Sequence, residues 1–150
     1  VPAEFRGDKQ IVLTVVEKSG ESLQDAHESC KSDPEIVLAA VKQNGDALHF
    51  AAEECKRDHA IVLAAVKQNG DALKHAAEEC KSSREVVLAA LTQDAEALRH
   101  VAEACKEDRE IVLAAVNKQP AAIQYASEEM LLDGEFAREA KEQCFILKIS

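Results

Sequence analysis

Cysteine is the residue of this chain with the widest chemistry, and its spacing is regular. Four cysteines recur at a constant 25-residue interval, at Cys30, Cys55, Cys80 and Cys105, while Cys144 lies outside the series. Zinc sites use closely spaced ligand pairs such as Cys-X-X-Cys, which this sequence lacks. A disulfide needs Cα atoms within about 7 Å, whereas neighbouring helices pack about 8–10 Å apart. The spacing therefore favours buried free cysteines that pack as small apolar side chains. It also predicts no metal ion and a reducing compartment.

Histidines are the second candidates for chemistry, either as metal ligands or as catalytic bases. His75 and His100 are separated by the same interval as the cysteines. At that spacing we expect them to be too far apart to hold one metal ion, whose nitrogen ligands lie at about 2 Å. No serine or cysteine stands with a histidine and an acid in a recognisable nucleophile motif. The sequence therefore predicts a protein without catalytic residues, without a cofactor and without enzymatic activity.

One position of the 25-residue interval varies while its neighbours stay constant. It holds Asp25, Phe50, His75, His100 and Tyr125. A constant glutamate lies three positions later, at Glu28, Glu53, Glu78, Glu103 and Glu128. Aromatic side chains flanked by charge are typical of protein-binding hot spots. We therefore predict that a protein partner binds the residues Phe50, His75, His100 and Tyr125, together with Glu53, Glu78 and Glu103. The alternative is drift at a tolerant surface position beside a solvated acidic face.

The regular interval extends over nearly the whole chain. The segment IVLAAVKQNGDAL occurs twice, at 36–48 and at 61–73. Self-similarity at a fixed period of this length is typical of a solenoid built from stacked units. We predict a single all-α domain over 1–150, an α-solenoid of 25-residue repeats. Its predicted parts are a lead-in at 1–7, five two-helix repeats at 8–132, and a degenerate capping helix with an apolar tail at 133–150.

Each predicted repeat begins at a residue that caps helices well. This position holds Asp8, Asp33, Asp58, Ser83, Asp108 and Asp133. Aspartate and serine side chains accept the free amides of a first helical turn. Within the second repeat, the pattern predicts helix A over about 35–43, closed by a left-handed turn at Asn44-Gly45. An amphipathic helix B is predicted over about 46–56, with helix A buried inside the stack and helix B forming the outer wall.

The end of the chain departs from the repeat. The segment DGEFAREAKEQC, which starts at Asp133, carries charged residues where earlier helices carry apolar ones, as expected of a cap on an array. The apolar run Phe145, Ile146, Leu147, Lys148 and Ile149 follows it. Two interpretations of this tail stay open: it folds back over the last helices, or Phe145, Ile146 and Leu147 dock on a partner.

The segment DPEIVLAAVKQNGDALHFAAEECKRD resembles the repeat of the DUF4116 family, a domain of unknown function found in algae, other protists and some large viruses. The resemblance covers the five units from about Asp8 to Leu132. It implies a helical-repeat fold and implies no activity, substrate or cofactor. Ala95 and Pro120 depart from the pattern because most units carry glycine there, which puts the geometry of those two turns in doubt.

Charge and hydropathy restrict the choice of partner. The chain has 28 acidic and 18 basic residues and a net charge of −10, which repels nucleic acid and favours a basic protein segment. No apolar run approaches the roughly 20 residues of a transmembrane helix. The first residue is Val1 rather than Met, and the N-terminus lacks the features of a signal peptide. We therefore expect the chain to be processed from a precursor or to be an excerpt of one.

These observations lead to a first functional hypothesis and an alternative. The first is a non-catalytic scaffold that presents an outer ridge to a protein partner. The alternative is a small accessory or linker subunit fixed in a large assembly, such as a photosynthetic or respiratory membrane complex that it would join only through a partner. Both hypotheses place the protein in a reducing compartment, either the cytoplasm or an organelle matrix such as the plastid stroma.

Overall fold

The computed structural model describes residues 1–149, with side chains described as far as residue 143. Numbered in chain order, the long helices are α1 (Lys9–Val16), α3 (Pro34–Gln43), α5 (His59–Gln68), α7 (Arg84–Gln93), α9 (Arg109–Lys118) and α11 (Gly134–Ile149). The short α-helices between them are α2 (Glu28–Lys31), α4 (Glu53–Arg57), α6 (Glu78–Lys81), α8 (Glu103–Lys106) and α10 (Glu128–Leu132). A short 3-10 helix at Ala3–Phe5 precedes α1, and one follows each of the first five long helices, at Gly20–Asp25, Gly45–Phe50, Gly70–His75, Ala95–His100 and Pro120–Tyr125.

The elements of one kind pack against each other in chain order. Each long helix contacts the long helix of the next repeat, and each 3-10 helix from Gly20–Asp25 onward contacts the next 3-10 helix. Each repeat therefore packs on its sequence neighbours, as expected of a quasi-one-dimensional array. The predicted all-α solenoid of 25-residue repeats with a C-terminal capping helix is confirmed.

Helix B is divided in the structure, contrary to the prediction of one continuous helix over 46–56. A 3-10 helix covers Gly45–Phe50, the backbone is extended at Ala51 and Ala52, and α4 begins at Glu53. The amide of Ala52 donates to the carbonyl oxygen of Lys31 in the preceding repeat, at 3.0 Å. The same bond recurs once per repeat, as Ala77 to Lys56, Ala102 to Lys81 and Ser127 to Lys106. A continuous helix would use this amide internally, so the contact between repeats divides it.

The caps that start the long helices follow the sequence prediction closely. The Asp33 carboxylate accepts the amides of Glu35 and Ile36, at 3.0 and 3.4 Å. Equivalent bonds are made by Asp8, Asp58, Asp108 and Asp133. Ser83 occupies the capping position of α7 without a side-chain bond to it. Each aspartate cap contributes about 1 kcal/mol to helix stability.

The left-handed turn predicted at Asn44-Gly45 is wrong, because positive φ angles are absent from the described chain. Asn44 is extended, with φ −145° and ψ 114°. Gly45 itself is tightly confined, since a Cβ there would lie 2.5 Å from the carbonyl oxygen of Ala65 in the next repeat. Ala95 and Pro120 occupy the equivalent position of the last two repeats, where the backbone of the preceding residue is also extended. The amide of Gly45 also donates to Oε1 of Gln68, at 2.5 Å.

The core lies between the long helices and the 3-10 helices. One leucine of the 3-10 helix is fully buried in four successive repeats, at Leu23, Leu48, Leu73 and Leu98. Burial of such a side chain contributes about 1.5–3 kcal/mol. The long helices of the five repeats are less enclosed than predicted, because one leucine of each remains half-buried, at Leu13, Leu38, Leu63, Leu88 and Leu113.

The C-terminal helix α11 caps the array and continues through the predicted tail. Phe136 and Ala140 are buried against the last repeat, whereas Arg138 is exposed. Cys144-Phe145 stands where α3 and α5 are followed by Asn-Gly, and α11 runs as one helix of 16 residues. The predicted roles of the Phe145, Ile146 and Leu147 side chains lie outside the described residues. In the described part of the chain, no helix combines the length and apolarity needed to cross a bilayer.

Candidate protein-binding face on the stacked 3-10 helices

The stacked 3-10 helices carry their polar side chains in columns. A 3-10 helix has three residues per turn, so residues i and i+3 lie on the same side. One column consists of carboxylates, at Glu21, Asp46, Asp71 and Glu96. The column three residues later is exposed in every repeat and consists of Gln24, His49, Lys74, Arg99 and Gln124. We call these two columns, together with the half-buried side chains of Phe50, His75, His100 and Tyr125 beside them, the 3-10 face.

The predicted ridge residues lie at the inner side of this face. Phe50 and Tyr125 are partly buried and pack against the core. The side chains of His75 and His100 are 18% and 22% exposed. The exposed column lies one position earlier in the sequence, and sequence reasoning missed it. Its variation from Gln through His, Lys and Arg was the available signal, since it resembles the variation of the ridge position.

A ladder of side-chain amides joins the carboxylate column to the next repeat. Asn44 Nδ2 donates to Glu21 at 3.3 Å, and Asn69 Nδ2 donates to Asp46 at 3.2 Å. Gln119 Nε2 donates to Glu96 at 3.3 Å. Asp71 does not receive the equivalent bond, because Asp94 stands at the position that holds Asn44, Asn69 and Gln119 in the other repeats. A carboxylate accepts hydrogen bonds and cannot supply one to Asp71.

Cations take the place of the missing amide at Asp71. Lys74 Nζ lies 2.5 Å from Asp71 Oδ2, and Arg99 Nη2 donates to Asp71 Oδ1 at 2.9 Å. His100 Nε2 is also 2.9 Å from Oδ1. Lys74, followed by Arg99 and His100, holds the pKa of the Asp71 carboxyl well below its usual range. Asp71 is therefore an ionised carboxylate that joins three side chains from two repeats.

Asp46 is the equivalent of Asp71 one repeat earlier, and its surroundings are different. Its Oδ2 accepts from Asn69, while its Oδ1 is buried and has no hydrogen-bond donor among the described residues. His75 Nε2 lies 3.9 Å from Oδ1, beyond hydrogen-bond distance. Burial, followed by the nearby His49 and Lys74, lowers the pKa of His75. His75 is thus neutral at pH 7 and does not balance the charge of Asp46.

Aromatic rings form a small cluster beside Asp46. The His49 and His75 ring centroids are 4.8 Å apart, and the rings are inclined by 47°. The His49 and Phe50 rings meet edge to face, with centroids 5.1 Å apart. A shallow groove of about 190 Å³ is lined by these rings and Asp46, together with Glu21, Gln24 and Lys74. This groove combines flat rings with an incompletely paired carboxylate.

The predicted acidic column lies on the short helices and is paired there. Glu53, Glu78 and Glu103 begin the helices α4, α6 and α8. Each contacts the lysine three residues later, at 3.1, 3.0 and 2.7 Å for Lys56, Lys81 and Lys106. The glutamates are 69–80% exposed, so these pairs contribute at most about 1 kcal/mol each. Division of helix B separates this column from the aromatic position.

The cysteines take the packing role that their spacing predicted. Cys30, Cys55, Cys80 and Cys105 are buried and free. The Cys55 and Cys80 thiols donate to the carbonyl oxygens of Ser32 and Arg57 in the preceding repeat, at 3.7 and 3.5 Å. Burial raises the pKa of both thiols. In the described residues, no three His, Cys, Asp or Glu side chains are arranged to hold a metal ion.

Comparison with known families matches the repeat itself. The model of the "Domain of unknown function (DUF4116)" matches three times, at 8–56, 58–105 and 108–147. Each of the first two matches spans about two of the 25-residue repeats, and the third spans the fifth repeat and most of α11. Neither the curated proteins nor the solved structures contain a match to this chain.

Proposed function

The chain belongs to the DUF4116 family, and from the surface that its repeats build we propose that it is a non-catalytic scaffold whose 3-10 face binds a protein partner. The observation that carries this proposal is the exposed column Gln24, His49, Lys74, Arg99 and Gln124, which varies over a constant framework of buried leucines, cysteines and backbone bonds. Solenoids use such extended surfaces for recognition, because each repeat contributes one set of side chains to a common face.

The charges on the 3-10 face support a protein partner that places basic groups against the first two repeats. In the first two repeats the column residues are Gln24 and His49, so Glu21 and Asp46 lack the close cations that Asp71 has. The net charge of −10 adds a general attraction for basic segments and a repulsion of nucleic acid. The four free buried thiols agree with a reducing compartment, either the cytoplasm or an organelle matrix such as the plastid stroma.

A matched pair of triple variants tests the proposal. The first variant changes the exposed column by His49→Ser, Lys74→Gln and Arg99→Gln. The control changes the same three residue types at exposed positions away from the face, by His59→Ser, Lys67→Gln and Arg57→Gln. Both variants and the wild type are used for affinity capture with cross-linking from the native source, after circular dichroism has shown equal helix content.

The proposal expects one stoichiometric partner that the wild type and the control retain and the first variant loses. Cross-links should join that partner to the 3-10 helices. Equal capture by all three proteins would overturn the assignment to this face, and so would loss of the partner by the control alone.

A fixed subunit of a large assembly, such as an organellar membrane complex, is the second candidate. The observation that favours it is the exposure of Leu131 and Leu132 in α10, at 42% and 85%. Earlier repeats carry lysine at the first of these positions, as in Lys106. Exposed apolar pairs of this kind are typical of contact surfaces. The test combines Leu131→Lys with Leu132→Ser. If this double variant no longer enters an assembly that the triple variant of the exposed column still enters, the second candidate is correct.

A further inference from the structure

We propose that Asp46, with the rings of His49 and His75, forms a binding site for one arginine side chain of the protein partner. This inference rests on the proposed function, since it names the chemistry that the partner presents to the 3-10 face. We call these three residues the arginine site. Its features are a carboxylate oxygen without a donor among the described residues, flat rings beside it and a groove of about 190 Å³ that these residues line.

The arrangement expected of the arginine site with a bound arginine is already present around Asp71. One repeat later, the guanidinium of Arg99 donates to Asp71 Oδ1 at 2.9 Å. Arg99 Nε also donates to the ring nitrogen Nε2 of His100 at 3.0 Å, so the guanidinium is hydrogen-bonded to the edge of this ring while it pairs with the carboxylate. Asp46 and His75 are the equivalents of Asp71 and His100 in the preceding repeat. The sites around Asp46 and Asp71 therefore both contain an aspartate and, from the next repeat, a histidine.

The Asp46 site differs from the Asp71 site in its hydrogen-bond donors, because Asn69 donates to Asp46 and no cation is bonded to it among the described residues. The position of Arg99 is taken by Lys74, whose Nζ lies against Asp71 of its own repeat at 2.5 Å. The position of Lys74 is taken by His49. Asp46 Oδ1 is consequently left without a donor among the described residues. A buried carboxylate oxygen without a partner is costly. Because the Asp46 side chain as a whole is 45% exposed, a guanidinium that enters the groove from another chain can pair with this carboxylate.

The surroundings favour arginine over lysine. The ring of His49 is exposed at the surface and lies next to the half-buried His75 and Phe50 rings, so the groove offers an aromatic ring face to a side chain that enters it. A planar guanidinium stacks on such rings and forms two parallel hydrogen bonds with a carboxylate. An ammonium group is a point charge that holds its water more strongly and gains less from the rings. The groove has room for one long side chain rather than for a folded segment.

The test uses two small probes that differ in the side-chain cation, N-acetyl-L-argininamide and N-acetyl-L-lysinamide. Each is titrated into the isotopically labelled protein, and the ring resonances of His49 and His75 are followed by NMR. We expect saturable shifts with the argininamide and a several-fold weaker response to the lysinamide. Asp46→Asn should weaken argininamide binding about tenfold, as expected for loss of a charged hydrogen bond. The matched control Glu54→Gln, at an exposed acid of α4, should leave it unchanged.

A second variant tests the comparison between the arginine site and the Asp71–Arg99 pair. Lys74→Arg places a guanidinium at the position from which Arg99 reaches back to Asp71, and the new side chain should occupy the arginine site from within. We therefore expect this variant to lose argininamide binding while it remains folded. Equal responses to the two probes, unaltered binding by Asp46→Asn, or unaltered binding by Lys74→Arg would each overturn the arginine site. The scaffold would survive that result if the capture experiment still identified a partner of the 3-10 face.

Discussion

The thiol of Cys80 donates a hydrogen bond to the backbone carbonyl oxygen of Arg57, 3.5 Å away, and so links two consecutive repeats. Cys55 makes the same contact with Ser32. The cysteine column is thus part of the contact between repeats, where a small polarisable side chain fills the space and also supplies a weak donor. This role explains its recurrence without any metal or redox chemistry.

Replacement of Cys80 should have a small structural effect and none on metal content. We expect Cys80→Ala to lower the free energy of unfolding by about 1 kcal/mol, because one weak hydrogen bond and one sulfur contact are lost. Chemical denaturation measures this value, and elemental analysis measures bound metal. Stoichiometric zinc in the wild type, removed by Cys80→Ala, would contradict the packing role.

Leu73→Ala should destabilise the protein strongly. Leu73 is fully buried between the 3-10 helices and the long helices, so the substitution leaves a cavity and should cost about 2–5 kcal/mol. Leu63→Ala is the matched control, because Leu63 is only half-buried and should cost clearly less. Equal losses for the two variants in urea denaturation would show that the burial of these positions is wrongly assigned.

Gly45→Ala should be unfavourable because of space rather than backbone conformation. The added Cβ would lie 2.5 Å from the Ala65 carbonyl oxygen, and a backbone atom cannot move aside cheaply. We expect a loss of about 1–3 kcal/mol, as for other overpacked sites. Gly134→Ala is the control, since a Cβ there meets nothing within 4 Å. A neutral Gly45→Ala in the same thermal-unfolding experiment would contradict the close contact.

His75 should make the protein less stable as the pH falls below about 6.5. Burial lowers the pKa of His75 in the folded state, so the unfolded chain takes up its proton first as the pH decreases. The stabilisation is complete above the ordinary histidine pKa and is lost between that value and the folded pKa. His75→Phe, which copies Phe50 of the preceding repeat, should reduce the fall in unfolding free energy between pH 7.5 and 5. An identical pH dependence in both proteins would exclude this contribution.

Much of the fold could be predicted from the sequence because its signals are local. Asp33 was predicted as a cap and accepts two amides of the first turn of α3. The 25-residue period predicted which positions repeat, and Leu48 and Leu73 are buried as equivalent positions should be. Caps and apolar periodicity act within a few residues, so the sequence displays them directly.

The candidate site was predicted less well, since the predicted ridge residues lie on the inner side of the 3-10 face rather than on its exposed column. Phe50 and His75 are half-buried, and the exposed side chain beside them is His49. A continuous helix B would have pointed Glu53 and Glu78 toward the same surface. The 3-10 geometry turns residues i and i+3 to one side instead, which brings Asp46 and His49 into one face.

The sequence by itself determined the repeat length, the starts of the long helices and the burial of the repeated leucines and cysteines. The tertiary structure decided where helix B is divided and which carboxylate is left without a donor among the described residues. The physical reason is that both depend on contacts between repeats. The amide of Ala52 bonds to Lys31 of the repeat before it, and Asp46 differs from Asp71 because Lys74 pairs with Asp71 rather than with Asp46. Such choices between two nearby partners are made only when the repeats stack.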